Sequence, residues 1–338
     1  MVVVAMVPTT ELAFATPGLP WSGVAFVVQT GRVTLLLGRR DVASAVDPGA
    51  VLDLLAAGFR APVVSPQALR VRTDLPGPGT ATCLMPGLLP DVPAYTVKVN
   101  AKFPAAAPAL RGVVCLHSLV DGELLALLDS ASVTAWRTGL AAALGTHTLA
   151  PPDARTLGFV GAGAQAATTL AGLRHLRPWS RVVATDLDPA RAAALPASVL
   201  SSPREVAAAA DVVVLATWSR EPLLGRADVR PGQHLTSLGA DEPGKRELSA
   251  DLLAASRLIV DDVDLALAGG ALGSAGLSVD GCAGTLGAVL RGELPSVAPG
   301  MTSVYSPVGL PWQDLALSWA VYQQAAQAGA GTQVDLLG

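Results

Sequence analysis

The run Gly161-Ala-Gly-Ala-Gln-Ala166 is where residue type and spacing first ask for chemistry. It follows a strand candidate, Thr156-Leu-Gly-Phe-Val160, and opens a helical stretch. That is the setting in which a G-x-G-x-x-A turn binds a dinucleotide. Gly161 permits the tight turn, Gly163 lets backbone approach a pyrophosphate, and Ala166 lets helix and strand pack closely. Free N–H groups at the helix start complete the anion site. The bland alternative is a tight turn with no ligand. The next strand candidate ends in Asp186, an acid placed to bond the adenosine ribose and repel a 2′-phosphate, so NAD is expected over NADP. NADP stays open: Asp188 competes for the role, Arg191 is near enough in sequence to meet a phosphate, and both acids also read as solvated turn carboxylates. Thr217 closes the apolar run from Ala210 and belongs either to a ligand edge or to a strand cap.

Three charged residues stand out elsewhere. Asp241 follows the strand candidate His234-Leu-Thr-Ser-Leu-Gly239 and so emerges at the sheet edge where the cofactor turn lies. A carboxylate there can exchange protons with a substrate amine, although Asp-Glu-Pro-Gly is also a good turn. Arg137 is the one formal charge between Asp129 and Asp153, inside an apolar helical stretch. It needs an anion, either a cofactor phosphate or a substrate carboxylate, or else a structural salt bridge. Lys98 sits in Tyr95-Thr-Val-Lys-Val-Asn100, where alternation puts Val97 and Val99 on one face and Lys98 on the other. The plain alternative for it is an exposed strand lysine.

The elements that must position these residues fall into two textures. Up to Asp121 short β-leaning runs (33–37, 80–84, 95–100, 113–117) alternate with Pro/Gly turns, and predict a sheet-rich unit; one helix opens at Asp47-Pro48 with Val51, Leu54, Leu55 and Phe59 at helical spacing. A helix is predicted over 130–149. From 157 onward strands and helices alternate (157–160, 164–176, 181–186, 189–195, 203–209, 211–217, 235–239, 251–255, 258–261), which implies a parallel sheet covered on both faces. A last amphipathic helix is predicted over 311–328. The fold class expected is therefore α/β: a Rossmann dinucleotide-binding domain over 130–309 and a mixed, sheet-rich substrate and dimerisation domain over 1–129, with 310–338 packing back on the latter and 1–31 as an arm.

Composition excludes several classes. The chain has 338 residues, 51% hydrophobic and 15% charged, and a net charge of −4, which supplies no electrostatic footprint for nucleic acid. Cys83, Cys115 and Cys282 are scattered and odd in number, which predicts a reducing, cytoplasmic compartment, no disulfide framework and no metal site. The uncharged stretch 12–31 is broken by Pro17, Gly18 and Pro20, so no membrane span or membrane partner is expected. Of the 23 basic residues three are lysines (Lys98, Lys102, Lys245), which marks them for roles arginine cannot fill.

These motifs together carry a resemblance. Thr134-Ala-Trp-Arg-Thr138, the glycine turn, and Leu238-Gly-Ala-Asp-Glu-Pro-Gly-Lys-Arg-Glu-Leu248 look like the ornithine cyclodeaminase/mu-crystallin family, as do Val71-Arg-Thr73, Met85-Pro86, Val97-Lys98 and Phe103-Pro104 upstream. The resemblance implies a homodimer of two-domain subunits. It implies Arg72 and Lys98 as contacts of a substrate carboxylate, with Lys98 and Asp241 catalytic and Val308 touching substrate. Arg137, with Thr138 beside it, would hold cofactor phosphate. Gly161, Gly163, Ala164, Gln165, Ala166, Asp186, Thr217, Leu238, Gly239 and Lys245 would line the cofactor. The substrate side departs from the family pattern at Ala105-Ala-Ala-Pro108, at Gly269-Gly-Ala271 and at Pro307. The activity implied is hydride transfer at the carbon–nitrogen bond of an α-amino acid or cyclic imine. Ornithine or lysine cyclodeamination, a lyase reaction with catalytic NAD, and non-catalytic nucleotide binding are the alternatives.

Overall fold

The computed structural model describes residues 33–61, 71–76, 81–103, 105–106, 109–295, 297–298 and 300–336. The arm 1–31 and Pro104 lie outside them, as does the Arg72 side chain. Contacts divide the described residues into two units, one drawn from those between 33 and 47, 71 and 133, and 314 and 336, the other from those between 48 and 61 and between 134 and 313. The helix Pro48–Arg60, expected with the N-terminal half, groups with the second unit. The reason is packing: Phe59 meets Trp312 edge-on at 5.0 Å, and its carbonyl accepts from Arg291.

The first unit is one seven-stranded sheet. Its strands are β1 (Val33–Leu37), β2 (Val71–Asp74), β3 (Ala81–Gly87), β4 (Ala94–Lys102), β5 (Leu110–Ser118), β6 (Leu124–Asp129) and the C-terminal strand Thr332–Asp335. The C-terminal strand pairs antiparallel with β1, β1 pairs parallel with β6, and β6 through β2 follow as an antiparallel meander. Along β4 the buried face carries Ala94, Thr96, Lys98 and Asn100, while Val99 points outward. Lys98 is therefore not an exposed strand lysine. Its Nζ lies 2.6 Å from Asp314 Oδ2, with side chains 2% and 1% exposed. On the opposite face Val71, Leu84, Val99 and Val113 are direct ladder partners and are 53%, 42%, 39% and 39% exposed, a continuous apolar row.

The second unit is an eight-stranded parallel sheet. Its strands are β7 (Thr156–Val160), β8 (Arg181–Thr185), β9 (Ser198–Val199), β10 (Val212–Leu215), β11 (His234–Ser237), β12 (Arg257–Val260), β13 (Gly284–Thr285) and β14 (Ser303–Tyr305). The order is β13-β12-β14-β11-β10-β7-β8-β9. The strand direction of travel reverses between β7 and β10, the switch point at which open α/β sheets bind ligands beyond their carboxyl ends. β10 is buried along its whole length, with helices covering both faces. Helix starts follow local chemistry: Asp188 caps Pro189–Ala194 and Ser202 caps Pro203–Ala209, each with Pro in the first turn. Among the described residues no single helix is long and apolar enough to cross a membrane, and no group of three His, Cys, Asp or Glu could hold a metal ion.

Candidate active site

At the carboxyl end of β7 the chain turns at Gly161, with φ +88°. A Cβ there would stand 2.6 Å from the Ala216 carbonyl, so the position needs glycine. Gly163 then heads the helix Ala164–Leu176 and faces open space: a Cβ would meet nothing within 4 Å. Ala166 is fully buried, as close helix–strand packing requires. Asp186 follows β8 and is held by two backbone amides, Ala162 N at 2.7 Å and Asp188 N at 2.8 Å. Asp188 caps its own helix through Ala190 N, lies 3.5 Å from Arg191 and lines the same cleft as Asp186. A cleft of about 680 Å³ opens here, lined by Gly161, Gly163, Asp186, Arg191, Thr217 and Trp218.

A dinucleotide fits these residues. The cleft lies at the switch point, a helix N-terminus faces it, and an acid waits where a ribose would lie. On the helix Ser130–Leu149 the buried Thr138 hydroxyl finds no hydrogen-bond partner in the structure. Arg137, one residue earlier, is 6% exposed, and its Nη1 donates to Gln313 Oε1 at 3.0 Å. A side chain at Gly309 would overlap that guanidinium, so the turn at Val308 packs directly on Arg137.

The Asp241 segment is a turn, as its sequence suggested, and more than a turn. Lys245 Nζ lies 2.7 Å from Asp241 Oδ1, 3.7 Å from Glu242 Oε2 and 4.9 Å over the Trp218 ring. Trp218 lines the cofactor cleft, so this chain of contacts runs from the cleft to the Asp241 carboxylate. Leu238 is buried beside the end of β10, its N–H bonded to the Leu215 carbonyl.

Three carboxylates are buried among the described residues: Asp314, which pairs with Lys98, and Glu247 and Asp261, whose tasks the sequence did not show. Glu247 accepts Thr217 N and Oγ1 at 2.7 Å each, Ser237 Oγ at 2.8 Å and Gly239 N at 2.7 Å. Burial pushes its pKa up, against the pull of those four donors. Thr217 is thus turned inward by its hydroxyl, whatever its methyl presents to the cleft. Asp261, at the end of β12, accepts Val308 N at 2.9 Å and Gly309 N at 2.6 Å, and burial raises its pKa too. The signal for Glu247 lay inside the motif that contains Asp241; Asp261 read as an ordinary strand end. In the first unit, β2 places Arg72 opposite Cys83, which pairs with Asn100 two residues from Lys98.

The chain is similar to known proteins in both sequence and fold. The family described as the ornithine cyclodeaminase/mu-crystallin family matches residues 63–329. An iminosuccinate reductase of Paracoccus denitrificans is 31% identical over 67% of this chain and 74% of its own. An archaeal alanine dehydrogenase dimer with bound NAD superposes with TM-score 0.82 at 26% identity, over 90% of this chain and all of that one. The Thermococcus litoralis Δ1-pyrroline-2-carboxylate reductase, in complex with NADH and L-proline, gives TM-score 0.81 at 25% identity, over 89% of this chain and all of that one.

Proposed function

The chain belongs to the ornithine cyclodeaminase/mu-crystallin family, and from that premise we propose that it is an NAD(H)-dependent oxidoreductase acting on the carbon–nitrogen bond of an α-amino acid or cyclic imine. The observation that carries the reading is the line of contacts from the dinucleotide cleft through Trp218 and Lys245 to Asp241. Gly161, Gly163 and Asp186 would hold a nicotinamide dinucleotide in the cleft, and it would supply the hydride acceptor or donor. Asp186 favours a free ribose over a 2′-phosphate. Asp241 takes a proton from the substrate nitrogen or returns one to it, and its charge supports a cationic imine. Lys98 and Arg72 take the substrate carboxylate, Lys98 held in place by Asp314. Val308 meets the substrate from a turn that Asp261 fixes.

The family's name also supports a lyase reading. There the imine carbon is attacked by the substrate's own side-chain amine, ammonia leaves, and the hydride returns, so no cofactor is consumed. One steady-state experiment separates the two. Ornithine, lysine, arginine, alanine and cyclic imines are offered with NAD(H) and NADP(H) while NADH absorbance and ammonia are followed. Net change in NADH marks the oxidoreductase; ammonia without it marks the lyase; neither signal with any substrate refutes both.

The protein is further proposed to be a homodimer of a reducing, cytoplasmic compartment. The exposed row Val71, Leu84, Val99 and Val113 is the surface that supports the dimer.

A further inference from the structure

Glu247 is a buried carboxylate that no step of the proposed reaction uses. It sits between the ends of β10 and β11, at the sheet edge that carries the cofactor cleft, and it is fully buried. A charged group in such a place costs free energy unless its oxygens are fully bonded. They are: Oε1 takes both donors of Thr217, and Oε2 takes Ser237 Oγ and Gly239 N. Two of these four donors are backbone N–H groups, which cannot turn round to accept. Each oxygen faces one of them. A carboxylate satisfies both; a carboxamide would set an N–H against one of the two.

Of the residues so tied, Thr217 lines the cleft directly. With its hydroxyl spent on Glu247, Thr217 Cγ2 faces the glycine turn, 3.0 Å from where a Gly161 Cβ would stand. Gly239 lies two residues before Asp241, and it must be glycine here, because a Cβ would come within 2.6 Å of the Glu247 carboxyl carbon. Asp186 and Gly163, at the adenosine end, are held by other bonds and do not touch Glu247 through any of these contacts.

We propose that Glu247 is a positioning residue for the nicotinamide end of the cofactor cleft: by drawing Thr217 and Gly239 onto one carboxylate it fixes the spacing of the β10 and β11 ends and aims the Asp241 turn at the reacting carbon. This rests on the reading of the cleft as a dinucleotide site. Its substrate-independent signature is a split between ligands. ADP-ribose carries the adenosine, the pyrophosphate and the second ribose but no nicotinamide, whereas NADH also places a nicotinamide in the part Glu247 shapes.

The test is calorimetric titration of the full-length protein and of Glu247→Gln, Glu247→Asp and Ser237→Ala with NADH and with ADP-ribose. Losing a charged acceptor for a rigid amide predicts that Glu247→Gln weakens NADH about tenfold or more. ADP-ribose affinity should stay within about threefold, since it lacks the nicotinamide whose seat Glu247 shapes. Glu247→Asp keeps the charge and should recover part of the loss. Ser237→Ala removes one hydroxyl donor and leaves the carboxylate, so it should weaken NADH by a smaller factor and stand in for Glu247→Gln if that variant does not fold. Equal loss for both ligands would make Glu247 a general structural residue and overturn the proposal, as would unchanged NADH affinity in Glu247→Gln, or in Ser237→Ala where Glu247→Gln does not fold. A parent protein that binds neither ligand refutes the dinucleotide reading itself, and this inference with it.

Discussion

Replacing Lys98 by methionine removes one partner of an ion pair that is almost completely withdrawn from water. The Nζ to Asp314 Oδ2 distance is 2.6 Å, and the two side chains are 2% and 1% exposed. Solvent screening, which makes surface pairs nearly worthless, does not operate here. Methionine fills most of the lysine's volume, so the loss is electrostatic rather than a cavity. Asp314 keeps its place on the helix Pro311–Ala328 among Leu315, Leu317 and Ser318, all fully buried. Removing one member of a buried pair costs about 3–5 kcal/mol, because the other is left as a buried charge. Replacing both by apolar residues is commonly neutral, so Lys98→Met/Asp314→Leu should return to within about 1–2 kcal/mol of the parent. Urea unfolding at pH 7, read as midpoint and slope, measures all three proteins and closes a double-mutant cycle. The double variant should be stable and yet fail to turn over, since Lys98 would then be missing only from the chemistry. A Lys98→Met protein within about 1 kcal/mol of the parent would refute the argument, because it would place the pair among surface-like bridges.

Three further outcomes are expected. His234 is fully buried, bonded to Ser303 Oγ and Thr236 Oγ1, and burial with the nearby Arg177 charge lowers its pKa to about 3. Its ordinary value is 6.5, so its contribution is complete above that pH and is lost as pH falls towards 3, up to about 5 kcal/mol; acid unfolding of His234→Asn should show a shallower slope over that window. NADH should bind more tightly than NADPH by fluorescence titration, and Asp186→Ser should narrow the gap; tighter NADPH binding by the parent would contradict the assignment. Val99→Lys with Val113→Lys should shift light scattering from dimer to monomer, whereas a dimer that survives both places the interface elsewhere.

The cofactor turn was legible because its signal is local: Gly161, Gly163 and Ala166 fall within six residues between an apolar strand run and a helix, although the carbonyl that makes Gly161 obligatory belongs to the distant Ala216. Helix starts at Pro48, Pro189 and Pro203 were legible for the same reason. Non-local pairing was not: nothing in Thr332–Asp335 announces that it joins β1, or that β1 lies parallel to β6. Lys98 shows how alternation misleads. The pattern separates Lys98 from Val97 and Val99 correctly, but the inner face of β4 is the polar one, because Asp314 from the last helix lies under it. Glu247 falls inside the motif that contains Asp241, but its task was not legible there, since its four donors come from two strand ends separated in sequence.

The most direct test of the central claim is single-turnover hydride transfer by Asp241→Asn, followed by NADH absorbance beside an NADH titration. The amide has nearly the shape of the acid, can still meet Lys245, and leaves Gly161–Ala166 untouched. It cannot take a proton, and it offers no charge to a cationic imine. The account predicts NADH affinity close to that of the parent and a rate lower by about 10²–10⁴-fold, the range of general acid–base catalysis. A variant that keeps more than about a tenth of the parental rate, well above that range, would contradict it, and Asp241 would be left as a turn residue that holds Lys245.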